Sequence, residues 1–600
     1  MSTAPCFGID LGTTTSAIGR VVDGNPVLYP VDGAELLPSV VHLSDSGDMV
    51  VGQAAVNQEL LAPERTIRSS KRHMGTAHTW QVGDRSVTPV EVATAILRKL
   101  GDAAEAATGA RPERVVITVP AWFTQAQRAA TRQAGEDAGY TVERILNEPT
   151  AAALAHAHGR ELHRKVLVYD FGGGTFDVSL IEQDGPLVEV KASHGDAKLG
   201  GDDVDQGLID YVIERVESEG DAALAGLLRS DAPARLRLRT ACEEVKKTLS
   251  DEPTATLRAP FLGELDGKPQ HLELQIPREE LEEIVIPLIN RTITCVDQVL
   301  ADSGATPSDI ESLILVGGST RLPQVWEWLR RRYGLEGDAS IPVQRAVALG
   351  AAIQAAILDG SRVDGILLDV APYALSIGVS CGGIPGYPTH FACQVVTPRN
   401  APLPSRHTHL VRTSHPEQER VRLPVYQGSH PHPDHNIILG EVVLEDLPNA
   451  PSDQLFRPIA ITFHHDLDGM VEITVLDQLA GLSTTGRIAA DGSEQAELRA
   501  FWLEHAQKHE LTLGDDTAAP VQSGADDEGV SDAVMREARD LFHAAYEARD
   551  QLAHDHPEIA SAIADHVTAG RLAHGMNHRR VCLEHYEALQ DLFFEEGIYL

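Results

Sequence analysis

Short apolar runs that end in glycine recur along the first half of the chain. Phe7-Gly8-Ile9, Val166-Leu167-Val168 and Leu313-Ile314-Leu315-Val316 each read as a buried strand running into a Gly, Thr or Ser turn. Apolar residues resume at Val178, Leu180 and Ile181, so the second run predicts two strands joined by a tight turn, a hairpin rather than a strand-turn-helix. Between these runs lie short strands such as Val27–Tyr29 and Val40–Leu43, then helical spacing from Thr88 to Leu100, where Pro89 suits a first turn and Val92, Ile96 and Leu100 share a face. Val115–Val119 is a strand that stops at Pro120. A helix holding Gln127, Arg128 and Arg132 follows, and Ile145–Pro149 leads into a helix of alanines.

From about residue 372 to 490 helical spacing disappears. Strands are expected at Leu375–Val379, Thr408–Thr413, Val421–Tyr426, Ile437–Val443, Ile459–Phe463 and Val471–Leu476, the pattern of an antiparallel β-sandwich. The last hundred residues return to helical spacing at Glu497–Gln507, Ser531–Leu552, Pro557–Leu572 and Asn577–Phe594, with an acidic, small-residue linker at Gly514–Gly529. Met535, Leu541 and Phe542 read as core of a small bundle.

The turns carry the candidate chemistry. Asp10-Leu11-Gly12-Thr13-Thr14-Thr15 and Asp170-Phe171-Gly172-Gly173-Gly174-Thr175-Phe176-Asp177 repeat one arrangement, so two similar half-domains facing a single nucleotide are expected. Glycine lets backbone N–H groups approach phosphate oxygens closely. Asp170 and Asp177 could hold Mg²⁺ through water, with Asp177 alternatively supporting the hairpin. A third turn, Gly317-Gly318-Ser319-Thr320-Arg321, follows the third strand.

Taken together, GIDLGTTTS, ITVPAWFTQAQRAAT, NEPTAAALAHA, VYDFGGGTFDVSL, GDAKLGGDDVD, CEEVKKTLS, LILVGGSTRLP and ALGAAIQAAI resemble the DnaK-type chaperones, the heat-shock-seventy family. KRHMGTAHTW and HPEQERVRLPVYQG look closest to its HscC-like bacterial branch. The resemblance implies an α/β actin-like two-lobed ATPase domain at residues 1–362 and an interdomain linker at 363–371. A β-sandwich peptide-binding domain at 372–490 and a short α-helical lid at 491–600 would follow. It implies ATP/ADP and Mg²⁺ as cofactors. Asp10, Glu148, Asp170 and Thr175 would be catalytic, with Asp10 and Asp170 around the metal through water. Gly12, Thr13, Thr14, Thr15, Gly172, Gly173, Gly174, Gly200 and Gly201 would line the phosphates. Glu243, Lys246, Lys247, Ser250, Gly317, Gly318, Ser319 and Arg321 would lie about the adenosine. Pro120, Arg128, Leu367, Leu368 and Asp369 would relay the nucleotide state. The partners implied are unfolded, extended apolar polypeptides, a J-domain co-chaperone and a nucleotide exchange factor.

Two departures from the family pattern stand out. The family's lysine beside the γ-phosphate is expected after the pair Lys71-Arg72, and the best-matched position is Gln81, which would slow hydrolysis. Gln344 stands where the family has an aspartate before its Ala-Val-Ala helix, and a modest effect on adenosine affinity is expected. Gln81, the short lid and the divergent sandwich leave a nucleotide-gated binding module with little turnover as the alternative. A sugar-kinase reading is opposed by the strip Gly365–Pro372 and the β-rich half.

Composition narrows the partners. With 50 Lys and Arg against 88 Asp and Glu, the formal charge of −38 disfavours nucleic acid and anionic membranes, and suits a partner with a basic docking face. The six cysteines form no Cys-x-x-Cys pair, which fits a reducing cytoplasm. The first strand begins by Cys6 with no basic-then-apolar leader, and no apolar run reaches the roughly 18 residues of a membrane span, so neither a signal peptide nor a span is expected. The histidines of Gly428–His435 and His464-His465 read as solvated turns rather than metal ligands.

Overall fold

The computed structural model describes residues 4–508 and 512–513, apart from 161–162, 339–340, 362–365, 382–389, 416, 452–455 and 488–491. The helical segments expected beyond residue 513, including Met535, Leu541 and Phe542, lie outside the described residues, as does Gly365. Two compact units result. The first is Met1–Pro372 with Leu467–Met470, and the second is Tyr373–Asp466 with the residues from Val471 on.

The first unit contains one sheet plan used twice. Its first lobe orders the strands Thr141–Asn147, Arg114–Val119, Cys6–Leu11, Thr15–Val22 and Asn25–Leu28. Its second lobe orders Gly337–Asp338, Ser312–Val316, His163–Phe171, Phe176–Asp184 and Leu187–Asp196. In each lobe the central strand pairs antiparallel with the next strand across a Gly/Thr turn, and parallel with a strand that comes much later. The parallel pairs need crossovers, and these are helical: Pro89–Thr108 in the first lobe and Arg278–Ser303 in the second. The hairpin read from Val166–Ile181 is present, with Asp170 opposite Asp177.

The helices start where local chemistry directs. Thr88 caps Pro89–Thr108 in a capping box with Glu91, and Val92, Ile96 and Leu100 are buried as their spacing predicts. Thr124 and Gln127 do the same for Gln125–Asp137. Helix Ala346–Leu358 lies against both the strand Cys6–Leu11 and the helix Glu148–Ala157. Glycine makes both crossings close: a Cβ on Gly8 would run into the backbone of Ala351, and one on Gly350 into the carbonyl of Ala151. Arg278–Ser303 is long and apolar enough to cross a membrane by length and composition alone. It is a core helix, since Leu281, Val285, Ile289, Val296 and Val299 are buried in the second lobe's apolar cluster.

The second unit has two main sheets. One orders Ile437–Leu444, Val421–Gln427, Leu375–Cys381, His390–Thr397 and Thr512–Leu513; the other orders Ser405–Arg412, Pro458–His465, Val471–Asp477 and Ser483–Arg487. All six expected strands are present. His390–Thr397 and Ser483–Arg487 were not read, because their alternation is masked by cysteine, threonine and glycine. Helix Gly492–Lys508 covers the first sheet, with Trp502 stacked on Phe391 at 5.7 Å between ring centroids and 7° between planes.

The histidines are not solvated turns throughout. His430 Nδ1 accepts the N–H of His432 at 3.0 Å, His432 Nδ1 accepts that of Asp434 at 3.2 Å, and His430 is buried, so the side chains hold the loop's own backbone. His465 ends its strand fully buried. Among the described residues no group of three or more His, Cys, Asp or Glu is arranged to hold a metal ion.

Candidate functional site

The two Gly/Thr turns of the first unit meet face to face. A Cβ on Gly173 would strike Thr14 Oγ1, and one on Gly174 would lie 2.8 Å from Thr13 Cγ2 and 2.9 Å from Arg72 Cγ. Only glycine leaves the turns this close while keeping their N–H groups available to an anion. Behind them stands the N-terminus of helix Gly201–Ser218. The Gly201 N–H donates to Gly172 O at 3.0 Å and the Asp202 N–H to Gly173 O at 2.8 Å. The positive end of that helix therefore faces the same space. Thr175 is buried, and its carbonyl accepts the Gly172 N–H at 3.0 Å, so it closes the second turn.

At the back of the turns lies a cluster of four acids, Asp10, Glu148, Asp170 and Asp177. Burial, and then repulsion from Glu148, pushes Asp10 up to about 7. Asp177 is pushed up to about 7 by burial and then by Glu148. Asp170 is raised well above the ordinary carboxylate range by burial first, with Glu148, Asp177 and Asp10 adding to it. Thr118 Oγ1 donates to Asp10 Oδ1 at 3.0 Å, and the Trp122 N–H donates to Asp177 Oδ1 at 3.0 Å. Carboxylates crowded this way favour a cation among them.

One such cation belongs to the chain itself. Lys71 is buried, its Nζ donates to Glu148 Oε1 at 2.5 Å, and it lies 5.6 Å over the Phe123 ring. It lowers the proton affinity of Asp10, Asp170 and Asp177. The replacement of this cation by Gln81 is therefore corrected. Gln81 is exposed on the short hairpin Trp80–Val82/Arg85–Val87 and donates to Ser86 Oγ at 3.0 Å. The lysine is a member of the Lys71-Arg72 pair, not a residue after it. Arg72 also crosses the cleft, with Nη2 on Asp203 Oδ1 at 3.1 Å, while Ser69 Oγ donates to Asp202 Oδ2 at 2.6 Å.

The chain matches the family model described as Hsp70 protein over residues 6–85 and 79–570. It belongs to the Hsp70 family. It is 40% identical to the chaperone protein DnaK of Thermotoga petrophila over 84% of this chain and 83% of that protein. It is 41% identical to the chaperone protein DnaK of Thermotoga neapolitana over 80% of each.

The remaining Hsp70 motif residues fall into two groups. Lys246 Nζ lies 2.7 Å from Asp205 Oδ1 and donates to Gly201 O at 3.3 Å, and Ser319 Oγ donates to Gly172 O at 2.8 Å, so both stand beside the second turn. Gly317 has φ of 85°, and a Cβ there would strike Phe171 O. Gln344 Nε2 lies against Gly318. Arg321 is exposed and has no ion pair among the described residues. Glu243 faces Lys247 at 3.0 Å, and Ser250 Oγ donates to its own helix at Lys246 O. Lys247 is exposed and pairs with Glu243 and Glu244, so this Hsp70 chain does not turn it toward the glycine turns.

Of the residues expected to relay the nucleotide state, Arg128 and Asp369 are joined through Asn147. Arg128 is buried and donates to Asn147 Oδ1 at 2.7 Å and to Ala121 O at 2.9 Å. Asn147 Nδ2 donates to Asp369 Oδ2 at 3.1 Å, and Thr150 Oγ1 donates to the same oxygen at 3.1 Å. Pro120 is buried at the end of its strand. Ile366–Leu368 pairs in parallel with Leu187–Glu189 as the outermost strand of the second lobe's sheet. Leu367 packs inward against the core, whereas Ile366 and Leu368 face out. Sequence reasoning missed Lys71, Asn147 and Trp122.

Proposed function

We infer that this chain is an ATP-dependent molecular chaperone that binds extended apolar segments of unfolded proteins and exchanges them according to the nucleotide it holds. Membership of the Hsp70 family, with DnaK relatives matched over most of their length, supports the activity. The observation that carries it is the set of opposed glycine turns in front of Lys71, Glu148, Asp10 and Asp170. The N–H groups of Gly12–Thr15 and Gly173–Thr175 would cradle the phosphates. Lys246, Ser319 and Arg321 would border the nucleoside. Lys71 and Glu148 would orient the attacking water and offset charge at the transferring phosphoryl group.

Asp10 and Asp170 would hold Mg²⁺ through water rather than directly, consistent with the absence of a direct metal-ligand cluster among the described residues. Mg²⁺ would supply charge neutralisation at the phosphates. Residues 363–371 act as the linker, residues 372–490 as the β-sandwich that grips the client and 491–600 as the lid. A J-domain protein with a basic face and an exchange factor complete the cycle, which runs in the cytoplasm. The low-turnover alternative loses its chief motive with Lys71 in place. Single-turnover hydrolysis of Mg-ATP with and without an apolar peptide tests the reading. Peptide-stimulated hydrolysis is expected, and tight ATP binding with no turnover would overturn it.

A further inference from the structure

Trp122 and His194 come from different lobes of the first unit. Trp122 follows the strand Arg114–Val119, and His194 lies on Leu187–Asp196. Their rings stack at 4.3 Å between centroids and 26° between planes. This is an offset aromatic pair bridging the two half-domains.

The stack adjoins the reacting groups. The Trp122 N–H is the donor to Asp177 Oδ1, and its neighbour Phe123 is the ring beneath Lys71. His194 pairs with Val178 in the sheet, and Gly195 with Asp177. A Cβ on Gly195 would lie 2.7 Å from Asp177 Oδ1 and 3.1 Å from Trp122 Cβ, so strand, carboxylate and indole fill the space between them. Residues 120–123 of the first lobe thus touch both an acid and the cation of the site, and His194 is what the second lobe presses against their outer side.

We propose that His194 is a positioning residue for ATP hydrolysis: by stacking on Trp122 it holds the Trp122–Phe123 segment in place, and through that segment it holds Asp177 and Lys71 in their working arrangement. The inference rests on the ATPase reading above. Loss of the stack leaves the nucleotide turns intact, so it acts on the chemical step and not on binding. An aromatic pair of this kind supports a three- to tenfold effect, roughly.

The test compares wild type with His194→Phe and His194→Leu in the full chain. The measurements are single-turnover hydrolysis of Mg-ATP, ATP affinity and Trp122 emission, with Trp122→Phe as the background. His194→Phe keeps a ring against the indole and is expected to keep the rate. His194→Leu keeps apolar bulk without the stack. It is expected to slow hydrolysis three- to tenfold, roughly, with ATP affinity unchanged and Trp122 emission altered. His194→Leu matching His194→Phe in rate overturns the inference alone. A wild-type chain that turns over no ATP overturns the assigned function and the inference with it.

Discussion

Asn147 and Asp369 are hydrogen-bonded at 3.1 Å, and Asn147 also receives the Arg128 guanidinium on its other amide atom. One side chain therefore ties the strip after residue 365 to the helix that follows Pro120. Asn147 is the residue immediately before Glu148, the partner of Lys71. Under the proposed cycle, a shift of Glu148 with the nucleotide would pass to Asp369 over a single residue, and docking of the strip would pass back by the same route.

Asp369→Ala leaves the glycine turns untouched but removes the acceptor for both Asn147 and Thr150. ATP affinity is expected to stay within about twofold of wild type, because no residue of the turns changes. Stimulation of hydrolysis by an apolar peptide is expected to fall most of the way to the basal rate. Steady-state hydrolysis with and without peptide checks this, and full stimulation in the variant would break the proposed route.

Lys71→Met removes the cation among Asp10, Glu148, Asp170 and Asp177. The expected loss in single-turnover hydrolysis is about 100-fold or more, on the order of 3 kcal/mol of barrier. Gln81→Lys, on its exposed hairpin, is expected to change nothing measurable. The two variants measured together separate the corrected assignment from the one read in the sequence.

The raised acids predict a proton-linked site. Asp10 and Asp177, with folded values of about 7, keep protons up to that pH, whereas the unfolded chain gives them up near 4. Their contribution to stability is thus full below the unfolded value and is lost as pH rises through 7 in the nucleotide-free protein. A cation bound to the ionised cluster displaces those protons. Affinity for Mg-nucleotide is expected to rise from pH 6 to 8, by up to about tenfold per pH unit for each proton displaced. Calorimetry in two buffers of different ionisation enthalpy counts the protons, and a count of zero at pH 6.5 would contradict the cluster's protonation.

Gly350→Ala places a methyl group against the Ala151 carbonyl where two helices cross. Neither backbone can yield without moving its lobe's sheet, so a destabilisation of about 2–3 kcal/mol is expected. Thermal unfolding of the first unit's transition measures it.

Local signals carried the reading of the turns. A glycine run between two apolar segments with period two needs no distant residue to declare a hairpin, and Asp170–Thr175 folds as that pattern directs. Thr88 and Glu91 likewise announce a helix start within four residues. Lys71 carried no such signal, because its role is fixed by Glu148, 77 residues away. Nothing local marks Arg128 as buried, because its burial depends on Ala121 and Asn147 arriving from other elements. The histidines misled for the same reason. His430 and His465 sit in polar-looking stretches, yet the surrounding strands bury them.

The strip Ile366–Leu368 is only three residues long and covers an edge that would otherwise offer unpaired N–H and C=O groups along Leu187–Glu189. Its brevity would make release cheap, and its departure would leave a vacant template. Any extended segment able to match that register competes for it, including the strip of a neighbouring copy. If the strip acts as the proposed switch, the same device would open that edge to strand exchange between molecules, and the time spent undocked would set how crowded a solution the chain tolerates.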